Sequence, residues 1–318
     1  MDSAPAPITA PLPQGAVRLL DWGLIQARGD QALEFLNGQL TQDLKPLDAS
    51  QARLAGYCSA KGRLLASFVV WRPAPDELLL AASADLLPAT LKRLSMFVLR
   101  ARCKLADRSA ERPLWGLAGL SAQQMLGDAA PSAVWGRTAT ELGDTIRLPD
   151  AVIDVQVVPR YLLAGALPPP GLSPLAPGAW QWLEVYSGVA RMVAATVEQF
   201  VPQMVNLDLV GGVSFQKGCY PGQEVVARSQ YRGTLKRRAG VLEAEQALHP
   251  GQEIFHSDDP GQPAGMVVLA GSRDGHTHAA LAELKIAALA GGSLHAGSAQ
   301  GPLLRTAALP YPIPSEAL

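Results

Sequence analysis

The segment FQKGCYPGQEVVAR, residues 215–228, brings a cysteine, two glycines, a proline, a lysine and a glutamate into close succession. A cysteine does chemistry as a thiolate, either as a nucleophile or as a metal ligand. Pro221 is a helix-start residue, because the N–H it lacks is not needed in a first turn. Glu224 suits the positive end of the same helix. A cysteine just upstream of a helix N-terminus, with Lys217 nearby, has its thiolate favoured over its thiol. Gly218 and Gly222 allow a close backbone approach or a positive φ. The competing reading makes Cys219 a small buried apolar residue in a tight turn, as free cysteines commonly are. The residue pattern leaves both open. Cys58 and Cys103 lie in apolar, strand-like stretches and read as inert buried thiols.

Other groups with chemical potential are less specific. Arg228, Arg232, Lys236, Arg237 and Arg238, with Tyr231 among them, could hold an anionic tail or a phosphate backbone, or could protect a sheet edge. Trp22, Trp180 and Trp182 could sandwich a flat ligand or fill a core. His276 and His278 would share one face of a strand, but no third metal ligand has matching spacing. There is no phosphate-binding loop, dinucleotide fingerprint, nucleophile elbow or zinc-protease motif.

Hydrophobic residues make up 48% and charged residues 17% of the 318 positions, which argues for a folded chain of two or three domains. The net charge of -1 gives no overall steering towards nucleic acid. Three isolated cysteines suit a reducing compartment, and no apolar run approaches the ~18 residues of a membrane span. The proline-punctuated residues 1–14 read as a disordered tail without the charge pattern of a secretory signal.

A strand is expected at Asp21–Ile25. Asp30 is expected to cap a helix carrying Leu33, Leu36, Leu40 and Leu44, weakened at Asn37-Gly38. Residues 52–71 read as a hairpin around SAKG, followed by a strand at 77–82, a helix striped by Leu87, Leu91, Leu94 and Val98, and a strand at CKLAD. That order makes 51–112 an α+β lobe with an antiparallel sheet. Further strands are expected at 114–120 and 151–159, then an extended proline-rich connector at 167–180 and a helix over WQWLEVYSGVARM. From about residue 236 short strands broken by Gly, Pro and Asp suggest a small β-barrel.

KGCYPGQE (217–224), within a longer stretch from Phe200 to Arg238, resembles the signature of the YgfZ family, folate-binding relatives of the glycine-cleavage T-protein, an aminomethyltransferase. FLNGQLTQDL (35–44), GYCSAKGRLLASF (56–68) and LPYP (309–312) resemble the same family in the same order. The resemblance implies an α+β, trilobal fold. Two interleaved α+β lobes with antiparallel sheets would span 15–235, and a small β-barrel 236–318. It implies a central site for tetrahydrofolate or a one-carbon derivative, with Trp22 and Trp180 as contacts and Trp182 as the alternative to Trp180. Tyr186 stands where the T-protein has a folate-contacting glutamate, and Glu184 would face elsewhere. Arg228 and Arg232 are placed to meet an anionic folate tail.

The implied role is cytoplasmic: assembly or repair of iron–sulfur clusters, supporting enzymes that modify tRNA. Cys219 would be the functional thiol, in surroundings shaped by Lys217, Gln223 and Glu224, with no permanent metal. Partners would be iron–sulfur client or assembly proteins, with tRNA met at most indirectly, no membrane, and a monomeric state. Asp85 in LLLAASADLLPATL lacks the lysine that precedes the T-protein's catalytic aspartate, so aminomethyl transfer is not expected. A one-carbon enzyme and a direct tRNA-binding module remain the alternatives.

Overall fold

A computed structural model describes residues 11–231 and 235–314. In chain order, β1 (Gly15–Arg18) and β2 (Trp22–Arg28) precede helix α1 (Ala32–Asn37). Then come β3 (Ala52–Cys58), β4 (Leu64–Ala74), β5 (Glu77–Ser83), α2 (Leu87–Val98) and β6 (Lys104–Asp107). β7 (Leu114–Ala118), α3 (Gly119–Leu126), β8 (Arg137–Thr140), β9 (Gly143–Ile153), β10 (Gln156–Ala164) and α4 (Pro177–Tyr186) follow. After α5 (Gln223–Tyr231) come β11 (Arg237–Ala244), β12 (Glu253–His256), β13 (Gly265–Ser272), β14 (His278–Lys285), β15 (Leu294–Ala296) and β16 (Leu303–Ala307).

These strands make three antiparallel units. One five-stranded sheet runs β1-β7-β10-β9-β8, a second runs β3-β4-β5-β2-β6, and β11-β14-β13-β12-β15-β16 close into a barrel. The chain lays β1 in the first sheet and crosses to the second at Leu19–Trp22, where the Trp22 N–H bonds Leu19 O at 3.3 Å. It returns to the first sheet at β7. That crossover sets Asp21 and Trp22 between the two sheets. The sheets are also tied directly: Trp71 of β4 donates through Nε1 to Asp144 of β9 at 2.8 Å, and the same carboxylate holds the buried Arg137 of β8. β5 is buried from Leu78 to Ser83 and β4 from Ala66 to Trp71, as strands covered on both faces must be.

Several expectations are corrected. The 51–112 lobe draws its inner strand, β2, from residues upstream of it, and pairing at that separation leaves no local mark. The stretch 151–159 is no single strand but the turn of the β9–β10 hairpin, with Asp154 at φ 54 and Val155 exposed. Aspartate tolerates that left-handed conformation better than a β-branched residue. α1 stops at Asn37, with Gly38 following, so Leu40 and Leu44 are buried from a loop, and Asp30 makes no cap. α4 begins inside the expected connector, at Pro177, and ends at Tyr186 because Gly188 takes φ 65. α3 was not expected. No described helix is long and apolar enough to cross a membrane. Residues 1–10 of the expected tail lie outside the described residues.

The barrel is bolted to the sheets by polar groups. Arg238 of β11, buried, donates to Asp208 at 2.7 and 3.1 Å and to Gln203 O at 3.0 Å. Asn206 Nδ2 donates to Ala239 O at 2.9 Å. α4 presses on β13 where Gly271 has no side chain; a Cβ there would stand 2.1 Å from Trp182 N. Removing one partner of a buried ion pair strands the other charge. Asp208→Ala is therefore expected to cost about 3 kcal/mol in a denaturant melt.

Candidate functional site

Between the two sheets lies a partly open cavity, walled by Trp22, Phe68, Trp135 and Leu148 and by the charged side chains of Arg160, Glu184 and Arg191. Its geometry follows from the end of α4. Gly188, at φ 65, turns the chain back, and Tyr311 of the LPYP segment donates its hydroxyl to Gly188 O at 2.7 Å. Arg191 thereby returns onto Glu184.

The Arg191 guanidinium donates to both Glu184 oxygens, at 3.0 and 3.1 Å, to Asp21 Oδ2 at 2.8 Å and to Ser83 Oγ at 2.8 Å. It also lies 4.8 Å from the centre of the Trp22 ring. Burial alone would push its pKa down; the carboxylates of Glu184 and Asp21 more than reverse that, so it stays charged. The neighbouring Met192 N–H bonds Ser67 Oγ at 3.0 Å, which seats this segment on β4.

The cavity collects some of the expected residues and not others. Trp22 lines it, and its Nε1 is a buried donor without a partner. Trp180 is one layer back: it lies in the core against Gly116, with the Arg160 guanidinium 4.6 Å from its ring centre. Trp182 is also fully buried, tilted against Tyr186 at 4.5 Å between ring centres. Tyr186 points to the barrel and donates its hydroxyl to Glu243 of β11; burial and that carboxylate push its pKa up. Glu184, not Tyr186, faces the cavity, because a helix turns about 100° per residue and the two lie on different sides of α4. Asp85 accepts from the Ala194 N–H at 2.8 Å.

The basic cluster disperses. Arg228 is exposed on α5 and pairs with Glu224 at 2.8 Å. Arg237 holds Glu283 at 2.8 and 2.9 Å, and Arg238 is the buried partner of Asp208, so these two serve the barrel and are not free to grip a phosphate backbone. Arg232 lies outside the described residues.

The 217–224 segment forms a separate surface feature, and none of its residues lines the cavity. Cys219 is exposed, which removes the reading of a buried spacer; Cys58 is buried and Cys103 intermediate. Burial pushes the Cys58 thiol up to about 12 and also raises Cys103. Lys217 does not present its ammonium freely. Nζ donates to the carbonyls of Asn37, Leu40 (2.6 Å) and Gln42 (3.2 Å), closing the open end of α1. The segment also rests on the β3–β4 turn. Gly222, at φ 80, meets Gly62, at φ 71, so closely that a Cβ on Gly222 would stand 2.4 Å from Ser59 O. α5 starts at Gln223, two residues after Pro221, with Glu224 in its first turn. Among the described residues no group of three His, Cys, Asp or Glu side chains could hold a metal ion.

Sequence reasoning missed Arg160, Arg191 and Trp135 as cavity residues. A signal existed for the first two: single arginines inside the apolar runs VVPRYLLAG and SGVARMV. Buried charges of that kind need partners.

The tRNA-modifying protein YgfZ of Edwardsiella ictaluri (strain 93-146) is 33% identical over 287 residues, 81% of each chain. The chain belongs to the YgfZ family. The tRNA-modifying protein YgfZ of Vibrio vulnificus (strain YJ016) is 29% identical over 85% of this chain and 89% of its own. These likenesses bear out the family reading of KGCYPGQE and its companion segments. The crystal structure of the glycine cleavage system aminomethyltransferase T from Bartonella henselae superposes with a TM-score of 0.71 over 93% of this chain and 85% of that one. At 18% identity that shows the shared fold alone. No protein-family model matches the chain.

Two outcomes follow from the YgfZ signature's geometry. In a thiol titration of the native protein Cys219 should react first, Cys103 more slowly, and Cys58 only on unfolding. Burial holds the folded-state pKa of Lys217 down at about 8, so between that value and its unfolded value the unfolded chain binds the extra proton. Wild-type stability relative to Lys217→Met should therefore rise with pH from about 8 towards 10, measured by denaturant melts across that range.

Proposed function

We propose that the chain is a folate-binding accessory protein for iron–sulfur cluster assembly or repair, supporting tRNA modification through iron–sulfur enzymes. The observation that carries this reading is the cavity itself: an aromatic-walled space between two sheets, lined by the buried carboxylate of Glu184 and by Trp22, whose indole N–H has no partner. Flat heterocycles with polar edges bind such sites, apolar on their faces and hydrogen-bonded at a few points. The residues present fit a reduced folate: Trp22, Trp135 and Phe68 would meet its ring faces, Glu184 its donors. The relatives' name, tRNA-modifying protein, supports the wider role.

Cys219 supplies the second half of the reading. An exposed thiol on a loop, apart from the cavity, is reachable by another protein. One thiolate cannot complete the four-ligand set of a cluster, so Cys219 would ligate transiently, alongside a partner's ligands, or react as a thiol. Aminomethyl transfer lacks support, since Asp85 has no preceding lysine and already accepts a backbone N–H.

Titration of the purified protein with tetrahydrofolate tests the first half. Trp22→Ala is expected to weaken binding by about tenfold or more, because a lost aromatic contact and a lost donor act together; unchanged affinity would place the ligand elsewhere. For the second half, Cys219→Ser should fail to restore iron–sulfur enzyme activity in a deletion strain. Full restoration would remove the thiol from the mechanism.

A further inference from the structure

Four arginines are buried among the described residues: Arg137, Arg160, Arg191 and Arg238. Three are held by carboxylates, of Asp144, Glu184 and Asp208 respectively. Arg160, 3% exposed, is not. Its guanidinium stacks on Trp180, and its hydrogen bonding amounts to one long contact, Nη1 to Pro149 O at 3.4 Å, with Nε lacking any partner. A guanidinium carries five donors, so most of this one's are uncommitted, and it lines the central cavity. Burial pushes its pKa down to about 10, which leaves it charged at neutral pH. The carboxylates of Glu184 and Asp150 offset its burial only through space, so its uncommitted donors are open to an acceptor on a ligand.

Glu184 lines the same cavity. Each of its oxygens accepts one bond from Arg191, and a carboxylate has lone pairs for more. The cavity thus offers acceptors at Glu184 and donors at Arg160. The ring edge complementary to that pair has N–H donors adjacent to a carbonyl oxygen. The amino-pyrimidinone edge of a reduced pterin has that order.

We propose that Arg160 is a specificity residue that reads the ring carbonyl of the bound pterin while Glu184 takes the adjacent N–H groups. This rests on the folate reading above. It assigns Arg160 to the heterocycle and not to the glutamate tail.

The test compares tetrahydrofolate, tetrahydropterin and the 2,4-diamino counterpart of tetrahydropterin, in which an amino group replaces the carbonyl and sets a donor against a donor. Wild type should prefer tetrahydropterin to the diamino compound by about tenfold or more, since the mismatch leaves buried donors unpaired. Arg160→Met should abolish that preference, weaken tetrahydropterin by a similar factor, and leave the ligand-free melting temperature unchanged or raised, because it removes an unpaired charge while keeping an apolar stem on Trp180. A purely structural arginine would instead lower the melting temperature. The proposal is overturned if the variant keeps the preference, if only the glutamate-bearing ligand loses affinity, or if the ligand-free variant is strongly destabilised. Equal binding of the two pterins by wild type overturns it without any variant. Failure of all three ligands to bind wild type overturns the folate reading along with it.

Discussion

The Arg191 guanidinium is the junction on which the centre of the molecule depends. It joins Asp21 at the crossover between the sheets, Ser83 at the end of β5 and Glu184 on α4, and packs against Trp22. These groups come from positions far apart in the chain. A buried arginine is costly unless its hydrogen bonds are met, and here carboxylates and a hydroxyl meet them. The same contacts fix Glu184 and Trp22 as cavity walls. The contacts that tie the centre of the fold together thus include the cavity's own walls.

Support for that junction comes from outside it. The barrel holds α4 through the Gly271 approach and the Tyr186–Glu243 bond, and Tyr311 fixes the turn at Gly188. The barrel therefore acts on the cavity through α4 while supplying little of its wall. Cys219 stands on a different platform, made by α1, the β3–β4 turn and the start of α5. Lys217 and the Gly62–Gly222 approach stabilise that platform. The aromatic-walled cavity and the exposed thiol each have their own support and lie at separate places on the molecule.

Much of this was legible in the residues where the signal is local. The SAKG hairpin, the striped helix α2 and the barrel's short strands follow from alternation and turn residues, and the segment resemblance gave the trilobal frame. What was missed depends on distant pairing. Nothing near Trp22 announces that β2 sits between β5 and β6, and the left-handed Asp154 hid a hairpin in an apparently continuous strand. The site was half legible. Cys219 and Trp22 stand out by type, whereas Glu184 was read as facing away because Tyr186 was taken for its position. Arg160 and Arg191 look like ordinary charges until their burial is known. By sequence position Lys217 is an electrostatic neighbour of the thiol, but its ammonium is committed to three carbonyls.

The Arg191 junction builds the cavity proposed to take folate, and the thiol platform stands apart from it. Arg191→Lys keeps the charge and loses the planar fork that spans Glu184 and Asp21. The deciding measurement is tetrahydrofolate affinity of this variant alongside the labelling rate of Cys219. Affinity is expected to fall by about tenfold or more, since the two carboxylates can no longer be bridged, with Cys219 labelled at the wild-type rate. Wild-type affinity in the variant, or a thiol whose reactivity changes with the junction, would contradict it.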